Sequence, residues 1–240
     1  AGGAPGGGAV GGGAAGRRWG DILIAAERSI YDQTAAAEGG WRGARDFKVV
    51  RKEAESAEIT SFYLEPVDGG AVIAHLPGQY IGLTAVVDGV EQRRNYSLSA
   101  ASNRKSYRIS VKREQGGKVS GYLHDQVQVG DVLQLFAPSG NFTLQNSTKP
   151  LVLISGGVGI TPTLPMLQAA LTTGRQITFI HCARDRGVQA FREKVDALAA
   201  AHTQLTRRYC YDRHDQAQAA DGLAMQGRLS TEVLAQWLPE

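Results

Sequence analysis

Short runs of alternating or β-branched residues occupy the segment between Phe47 and Phe142. The runs are FKVVRK, EITSFYLEP, QYIGLTAVV, NYSLSA, YRISVKR and DVLQLFAP, punctuated by Asp-Gly, Pro-Gly and Gly-Asp turns. Alternation with a period of two is typical of strands with one buried face. We therefore predict an antiparallel β-barrel or sandwich of about six strands. The run GKVSGYLHDQV instead has helical spacing, so a short helix is predicted before the last strand.

From Pro150 onward, apolar strand-like runs alternate with helical patterns. We predict strands at LVLI, QITFIHC and QLTRRYC, and helices from Pro162 to about Leu171, from about Val188 to Ala200 and from Thr231 to Trp237. Such alternation is typical of a parallel sheet. The predicted boundary between the barrel and this α/β half lies near NSTKP, at residues 146–150.

Two further patterns precede the barrel. Residues 1–16 contain only Gly, Ala, Pro and Val, which predicts a flexible tail. The next apolar positions recur at steps of three and four residues and predict one amphipathic helix, ended by Gly39-Gly40: Trp19, Ile22, Leu23, Ala26 and Ile30.

Composition narrows the function classes. Apolar residues make up 42% of the 240 residues, enough for a substantial core, and no run is long enough to span a membrane. No signal peptide is recognisable, so we expect a cytoplasmic protein without a membrane partner. The two cysteines, Cys182 and Cys210, exclude a disulfide framework and any four-thiolate metal site within this chain. The net charge of +3 is scattered, which argues against nucleic acid as a partner.

The stretch LVLISGGVGITP carries the first candidate site. Gly156, Gly157 and Gly159 allow a tight turn after a buried strand, and Thr161 and Pro162 are predicted as helix cap and first helical residue. Free amides at a helix start favour an anion such as a nucleotide pyrophosphate. The stretch is neither a Walker loop nor a regular GxGxxG fingerprint, and an ordinary glycine-rich turn without a ligand is equally open.

The stretch RRNYSLSA carries the second candidate site. Arg94 and Tyr96 are predicted on one side of a strand, with Ser97 on the other side, at the start of that strand. A guanidinium beside a flat aromatic ring suits a ligand that has both a phosphate and a planar ring. A surface arginine beside a half-buried tyrosine explains the same residues.

These stretches resemble the ferredoxin-reductase-like flavoproteins. Their Arg-x-Tyr-Ser motif is matched at residues 94–97, including Asn95, and GGKVSGYLHD resembles their second flavin element, with Lys118, Val119 and Ser120 at a helix start. GGVGITP resembles their nicotinamide-nucleotide loop, which covers Gly156, Gly157, Val158, Gly159, Ile160, Thr161 and Pro162. The resemblance implies an antiparallel β-barrel that binds FAD, followed by an α/β parallel-sheet domain that binds NADH or NADPH.

Within that superfamily the chain looks like the reductase half of flavohemoglobins, the nitric oxide dioxygenases. PGQYIGL, RRNYSLSAASN and ISGGVGITPTLPML resemble that half, and WGDILIAAERSIYDQTAAAEGGW is similar to the last globin helix. The expected divisions are a tail at 1–18, a globin-type helix and linker at 19–43, the FAD barrel at 44–148 and the NAD(P) domain at 149–240. We expect a fragment that lacks most of the globin, and so the haem b pocket, and the last strand with its Cys-Gly-Pro motif.

The resemblance also implies roles for individual residues. Arg94 would bind the FAD pyrophosphate, Tyr96 would pack along the isoalloxazine with Ser97 near it, and Ser120 with its neighbouring amides would complete the phosphate site. Gln79 and Tyr80 would lie near the flavin, although a simple strand start explains them nearly as well. The glycine loop would take the NAD(P)H pyrophosphate. Arg184 and Arg186 are candidate cations for a 2′-phosphate, but the family favours NADH.

The implied function is electron transfer from NAD(P)H through FAD to a globin haem in the same protein, which allows nitric oxide and O2 to form nitrate. Nicotinamide gives up two electrons together and haem iron accepts one at a time, so a flavin is needed between them. A free-standing flavin or ferredoxin reductase and a non-catalytic remnant stay open as alternatives. No catalytic residue and no metal ligand is assigned, and Cys182 and Cys210 are interpreted as buried structural thiols.

Overall fold

The computed structural model describes residues 32–213 and 223–238. The predicted tail and the apolar positions from Trp19 to Ile30 lie outside these residues. The first described residues, 32–36, are helical (α1), and Gly39 follows them with a φ of +78°, a conformation that glycine adopts without strain.

The first half is a closed antiparallel barrel. Its strands are β1 (Ala44–Ala54), β2 (Ile59–Pro66), β3 (Tyr80–Val87), β4 (Val90–Ser97), β5 (Tyr107–Lys112) and β6 (Val132–Phe136). The strand order is β4-β3-β6-β1-β2-β5, and an isolated bridge joins Leu98, the residue after β4, to Ile109 of β5 at the other edge. The alternating apolar positions fill the interior with fully buried side chains such as Phe47, Phe62 and Leu83. The predicted barrel and the helix before its last strand, α2 (Lys118–Asp125), are confirmed.

One detail of the predicted barrel is wrong. Strand β4 begins at Val90, so Arg94, Tyr96 and Ser97 lie at its end and not at its start. The reason is the hairpin turn at Asp88-Gly89, where both residues have a positive φ and Val87 pairs directly with Val90. The exposed polar residues after this turn hide the strand pattern in the sequence.

The second half is a parallel sheet. Its strands are β7 (Leu151–Gly156), β8 (Ile177–Ala183), β9 (Leu205–Tyr211) and β10 (Ala224–Gln226), in the order β10-β9-β8-β7 with every pair parallel. Its helices are α3 (Ile160–Leu171), α4 (Arg192–Ala201) and α5 (Thr231–Trp237). The predicted α/β half is confirmed, and the short strand β10 is an addition to it.

Two predicted helix starts are wrong. A 3₁₀ turn at Gly157–Gly159 leads directly into α3, so Gly159 is the N-cap and Pro162 is the third helical residue. The hydroxyl of Thr161 donates to the carbonyl oxygen of Val158 at 2.9 Å and caps nothing. Helix α4 begins at Arg192 and not near Val188, because Phe191 has a left-handed φ of +60°.

The two halves contact each other through the start of β2. Ile59 is 2% exposed and belongs to the apolar cluster of the parallel-sheet half. Beside it, the amide of Ala57 donates to the carbonyl oxygen of Gly187 at 3.1 Å, and Glu58 pairs with Arg184. Among the helices of the described segments, none has the length and hydrophobicity needed to span a bilayer.

Candidate functional site

Three of the predicted motifs meet in one cavity of about 510 Å³, which we call the barrel cleft. Strand β4 contributes all of residues 94–97, and the start of α2 contributes residues 118–120. Val158 and Thr161 from the glycine turn form the far wall. Segments that are distant in sequence thus converge because the barrel and the parallel sheet lie side by side.

Arg94 presents an available cation to the barrel cleft. The side chain is exposed, and its guanidinium donates to the carbonyl oxygen of Arg93 at 2.7 Å and to the side-chain oxygen of Gln92 at 3.2 Å. No carboxylate of the described residues forms an ion pair with it. Burial raises the pKa of Tyr96 to about 12, and the charge of Arg94 acts in the opposite direction. A cation therefore lies beside a half-buried aromatic ring.

The start of α2 adds hydrogen-bond donors. Gly117 is the N-cap and offers no side-chain cap, so the amides of residues 118–120 have no acceptor within the helix. The Ser120 hydroxyl donates to the carbonyl oxygen of Gly117 at 3.3 Å and accepts from the amide of Glu114 at 3.2 Å, so it braces the turn. Lys112 pairs with Glu114 at 3.1 Å and offsets the carboxylate in this wall. The helix start therefore favours an anion.

Tyr80 and Gln79 lie beside the barrel cleft and not in its wall. Tyr80 lines an adjoining cavity of about 460 Å³, which shares Arg94 and Asn95 with the barrel cleft. Gln79 accepts from the amide of Leu76 at 2.8 Å and donates to the carbonyl oxygen of Gly140 at 3.4 Å, so its side chain holds the loop before β3.

A second cavity of about 240 Å³ lies at the carboxyl ends of β7, β8 and β9, and we call it the strand-end cleft. Gly157, Cys182, Arg184 and Asp212 line it, together with Ile59 and other residues of the barrel. Ligands of open parallel sheets bind at such carboxyl ends.

The glycine turn separates the two clefts. Gly157 lines the strand-end cleft, whereas Val158 and Thr161 line the barrel cleft, and Lys112 lines both. Gly157 has a φ of +51°, and a Cβ at this position would meet no atom within 4 Å, so the turn is open to the strand-end cleft. Gly156, Gly159, Ile160 and Pro162 shape the turn but line neither cavity.

The two arginines predicted for a 2′-phosphate are divided between different cavities. Arg184 lines the strand-end cleft, where it pairs with Glu58 from the barrel. Arg186 lines a separate cavity of about 500 Å³. They do not form one cationic site.

Sequence reasoning missed several lining residues. Ser110 and Lys112 of β5 line the barrel cleft, and Cys182 and Asp212 line the strand-end cleft. The signal for the second pair was available, because each lies at or just beyond the carboxyl end of a buried strand of a parallel sheet. The signal for the first pair was absent, because nothing in the sequence shows which face of the closed barrel meets the glycine turn.

The residues of the barrel cleft fit FAD. A guanidinium and free helix amides suit a pyrophosphate, and the neighbouring Tyr96 ring suits a planar heterocycle. The strand-end cleft has the location and open backbone that suit a second dinucleotide. In the described part of the chain, no group of three or more side chains has the arrangement of a metal site.

Comparisons with known proteins agree with this chemistry. The family described as the oxidoreductase FAD-binding domain matches residues 46–144, and the oxidoreductase NAD-binding domain matches residues 153–239. The chain is 62% identical over 220 residues to the flavohemoprotein of Pseudomonas putida, covering 92% of this chain and 55% of that protein. The flavohemoprotein of Pseudomonas aeruginosa is 59% identical, with the same coverage. The chain thus spans about half the length of these curated relatives.

Solved structures give the same result. The flavohem-like FAD/NAD-binding domain of nitric oxide dioxygenase from Vibrio cholerae has a TM-score of 0.73 and 38% identity, covering 79% of this chain and 81% of that chain. A flavohemoglobin from Malassezia yamatoensis with bound FAD and heme has a TM-score of 0.78 and 25% identity, covering 89% of this chain and 55% of that chain. The two nucleotide-binding domains occur in the order of the solved Vibrio cholerae domain, and the match covers most of both chains. The chain therefore belongs to the flavohemoprotein family, as its FAD- and NAD(P)H-dependent oxidoreductase portion.

Proposed function

We propose that this chain carries electrons from NAD(P)H to the haem of a globin domain in the same protein, which converts nitric oxide and O2 to nitrate. The observation that carries the proposal is the shared wall: one glycine turn separates a cleft that suits FAD from a cleft that suits a nicotinamide nucleotide. The similarity to two Pseudomonas flavohemoproteins and to a flavohemoglobin solved with FAD and heme supports the haem acceptor.

In the proposed flavin site, Arg94 and the amides of residues 118–120 hold the pyrophosphate. Tyr96 packs against the isoalloxazine, and Asn95 and Ser97 complete this side of the cleft. Tyr80 is assigned to the adjoining part of the site, because its cavity shares Arg94 and Asn95 with the barrel cleft. The Ser120 hydroxyl keeps the turn in place and leaves its amide free for phosphate.

In the proposed nicotinamide site, the pyrophosphate lies against the open backbone of the glycine turn at residues 156–162. We propose NADH as the preferred nucleotide. Arg184 is engaged by Glu58, and Arg186 faces another cavity, so these two arginines do not together form a site for a 2′-phosphate.

FAD held by these residues would supply the link between a two-electron hydride donor and a one-electron acceptor. The chain's own contribution is to hold two dinucleotides in neighbouring clefts that meet at one turn and share Lys112. We place the protein in the cytoplasm.

Purification and turnover of the protein test the proposal. The chain is expected to retain FAD and to reduce ferricyanide with NADH, and the intact protein that contains it is expected to consume nitric oxide in step with NADH oxidation. A colourless chain that binds no added FAD would refute the proposal. A flavoprotein that reduces ferricyanide but never passes electrons to haem in the intact protein would support a free-standing reductase.

A further inference from the structure

The only two cysteines of the chain lie directly opposite each other on neighbouring strands. Cys182 of β8 is the register partner of Cys210 of β9, and both thiols are free. Paired residues on adjacent strands lie about 4.8 Å apart, within the Cα separation of about 4.4–6.8 Å seen in disulfides. Because the residues are paired in register, their side chains leave the sheet on the same face.

The two thiols differ in exposure and acidity. Cys182 is partly exposed and lines the strand-end cleft, whereas Cys210 is 1% exposed. A hydrogen bond from Cys210 lowers the pKa of Cys182, while burial and the carboxylate of Asp212 oppose this. The same hydrogen bond, together with burial, raises the pKa of Cys210. Cys182 is therefore the thiol that a small oxidant reaches and that ionises more readily, and Cys210 is a protonated neighbour.

We propose that Cys182 and Cys210 form a reversible disulfide when the protein meets hydrogen peroxide. The Cys182 thiolate attacks one peroxide oxygen, the O–O bond breaks, and the departing hydroxide takes up a proton to become water. The Cys210 sulfur then attacks the sulfenic acid at Cys182, the S–O bond breaks, and a second water leaves. In total, two thiols lose two electrons and two protons, and one peroxide becomes two waters.

The position of Cys182 couples this chemistry to ligand binding. The side chain shares the strand-end cleft with Gly157 and Arg184. This coupling rests on the proposed function: if a nicotinamide nucleotide occupies that cleft, it shields Cys182, so NAD⁺ is expected to slow oxidation several-fold.

Thiol titration and mass spectrometry test the proposal on the reduced protein. Peroxide is expected to remove both titratable thiols and to leave a monomer on a non-reducing gel, with Cys182 and Cys210 in one linked peptide that dithiothreitol releases. Cys210→Ser is expected to oxidise at a similar rate but to stop at a sulfenic acid that dimedone traps. Cys182→Ser, which keeps only the buried thiol, is expected to react at least about tenfold more slowly.

Two results overturn the dithiol proposal: a wild-type protein that forms no linked peptide, or a Cys182→Ser variant that oxidises as fast as wild type. Calorimetric binding of NAD⁺ separates this failure from a failure of the proposed function. A protein that binds NAD⁺ but forms no disulfide refutes the dithiol alone. A disulfide that forms at the same rate with NAD⁺ bound refutes the placement of the nucleotide and leaves the dithiol intact.

Discussion

At the scale of single residues, Arg94 is the side chain on which the flavin site depends most. Among the described residues, its guanidinium donates only to neutral acceptors, so it has donors to spare for phosphate oxygens. Hydrogen bonds to charged groups contribute about 1.5–3 kcal/mol each. Arg94→Ala is therefore expected to weaken FAD binding roughly 10- to 100-fold, measured by flavin fluorescence on titration of the apoprotein.

Two further variants give this measurement its controls. Arg94→Lys keeps the charge but loses the planar fork, so an intermediate loss is expected. Arg51→Ala removes another exposed barrel arginine, whose guanidinium lies 3.6 Å from the centre of the Tyr63 ring, and should leave FAD affinity unchanged. Equal FAD affinity in Arg94→Ala and wild type would remove Arg94 from the flavin site.

His181 makes stability depend on pH. The imidazole is fully buried in β8, and its Nδ1 lies 2.8 Å from the Ser155 hydroxyl. Burial lowers the pKa of His181 to about 4, whereas an unfolded chain titrates near 6.5. Between these values only the unfolded chain binds the proton. The free energy of unfolding is therefore unaffected by His181 above about pH 6.5, and it falls by about 3 kcal/mol in all as the pH is lowered toward 4.

Urea denaturation between pH 4 and pH 7 measures this contribution. The free energy of unfolding of wild type is expected to fall more steeply on acidification than that of His181→Gln, which carries no titrating group there. His202→Gln, at the end of α4, serves as the control and should keep the wild-type slope. Parallel pH profiles for wild type and His181→Gln would contradict the assignment.

At the scale of elements, two glycines of the turn between β7 and α3 differ in backbone conformation and in their position relative to the strand-end cleft. Gly157 has a left-handed φ and open space around it, whereas Gly159 has a φ of −61° and room for a Cβ at 4.0 Å from Ser155. Gly157→Ala is expected to cost about 1–2 kcal/mol in unfolding free energy and to raise the KM for NADH, because its methyl group enters the strand-end cleft. Gly159→Ala should change neither by a comparable amount; equal effects of both variants would contradict this account.

The elements themselves could be predicted from residue patterns, because burial on one face dictates the period of apolar positions. The six barrel strands and the parallel sheet followed from such runs. The start of β4 did not, since its first residues are exposed, and β10 is only three residues long. The prediction of Thr161 as the helix cap was wrong, because a 3₁₀ turn runs into α3 without a break. The sequence does not specify this local geometry.

The candidate site could likewise be predicted only in part. The residue types at 94–97, 118–120 and 156–162 indicated a dinucleotide ligand, and the resemblance supplied its identity. Their convergence depends on how the barrel and the sheet lie against each other, which no local pattern encodes. Lys112 was missed for this reason, since it acquires a place at the site only through the contact between the halves. Cys182 could have been found, since it lies at the carboxyl end of a buried strand of the parallel sheet.

At the scale of the whole molecule, one residue of a barrel strand packs in the apolar core of the parallel-sheet half. Ile59 starts β2, yet its side chain packs in the cluster of the parallel-sheet half, where Leu144 of the linker also packs. The neighbouring pair of Glu58 and Arg184 is partly exposed, and such surface pairs contribute at most about 1 kcal/mol. Apolar burial at Ile59 therefore contributes more to this contact than the ion pair does.

Ile59→Ala tests this coupling. Truncation of a buried isoleucine costs about 2–4 kcal/mol, and here the loss falls on both halves, because β2 belongs to the barrel and its packing partners to the sheet. Native-state hydrogen exchange read by mass spectrometry is expected to accelerate in β2 and in β8 and α3 together. Ile109→Ala, which removes the same volume from the barrel core alone, should accelerate exchange only in the barrel. If Ile59→Ala accelerates exchange in one half only, the two cores are independent, and the wall shared by the clefts must be held by other contacts.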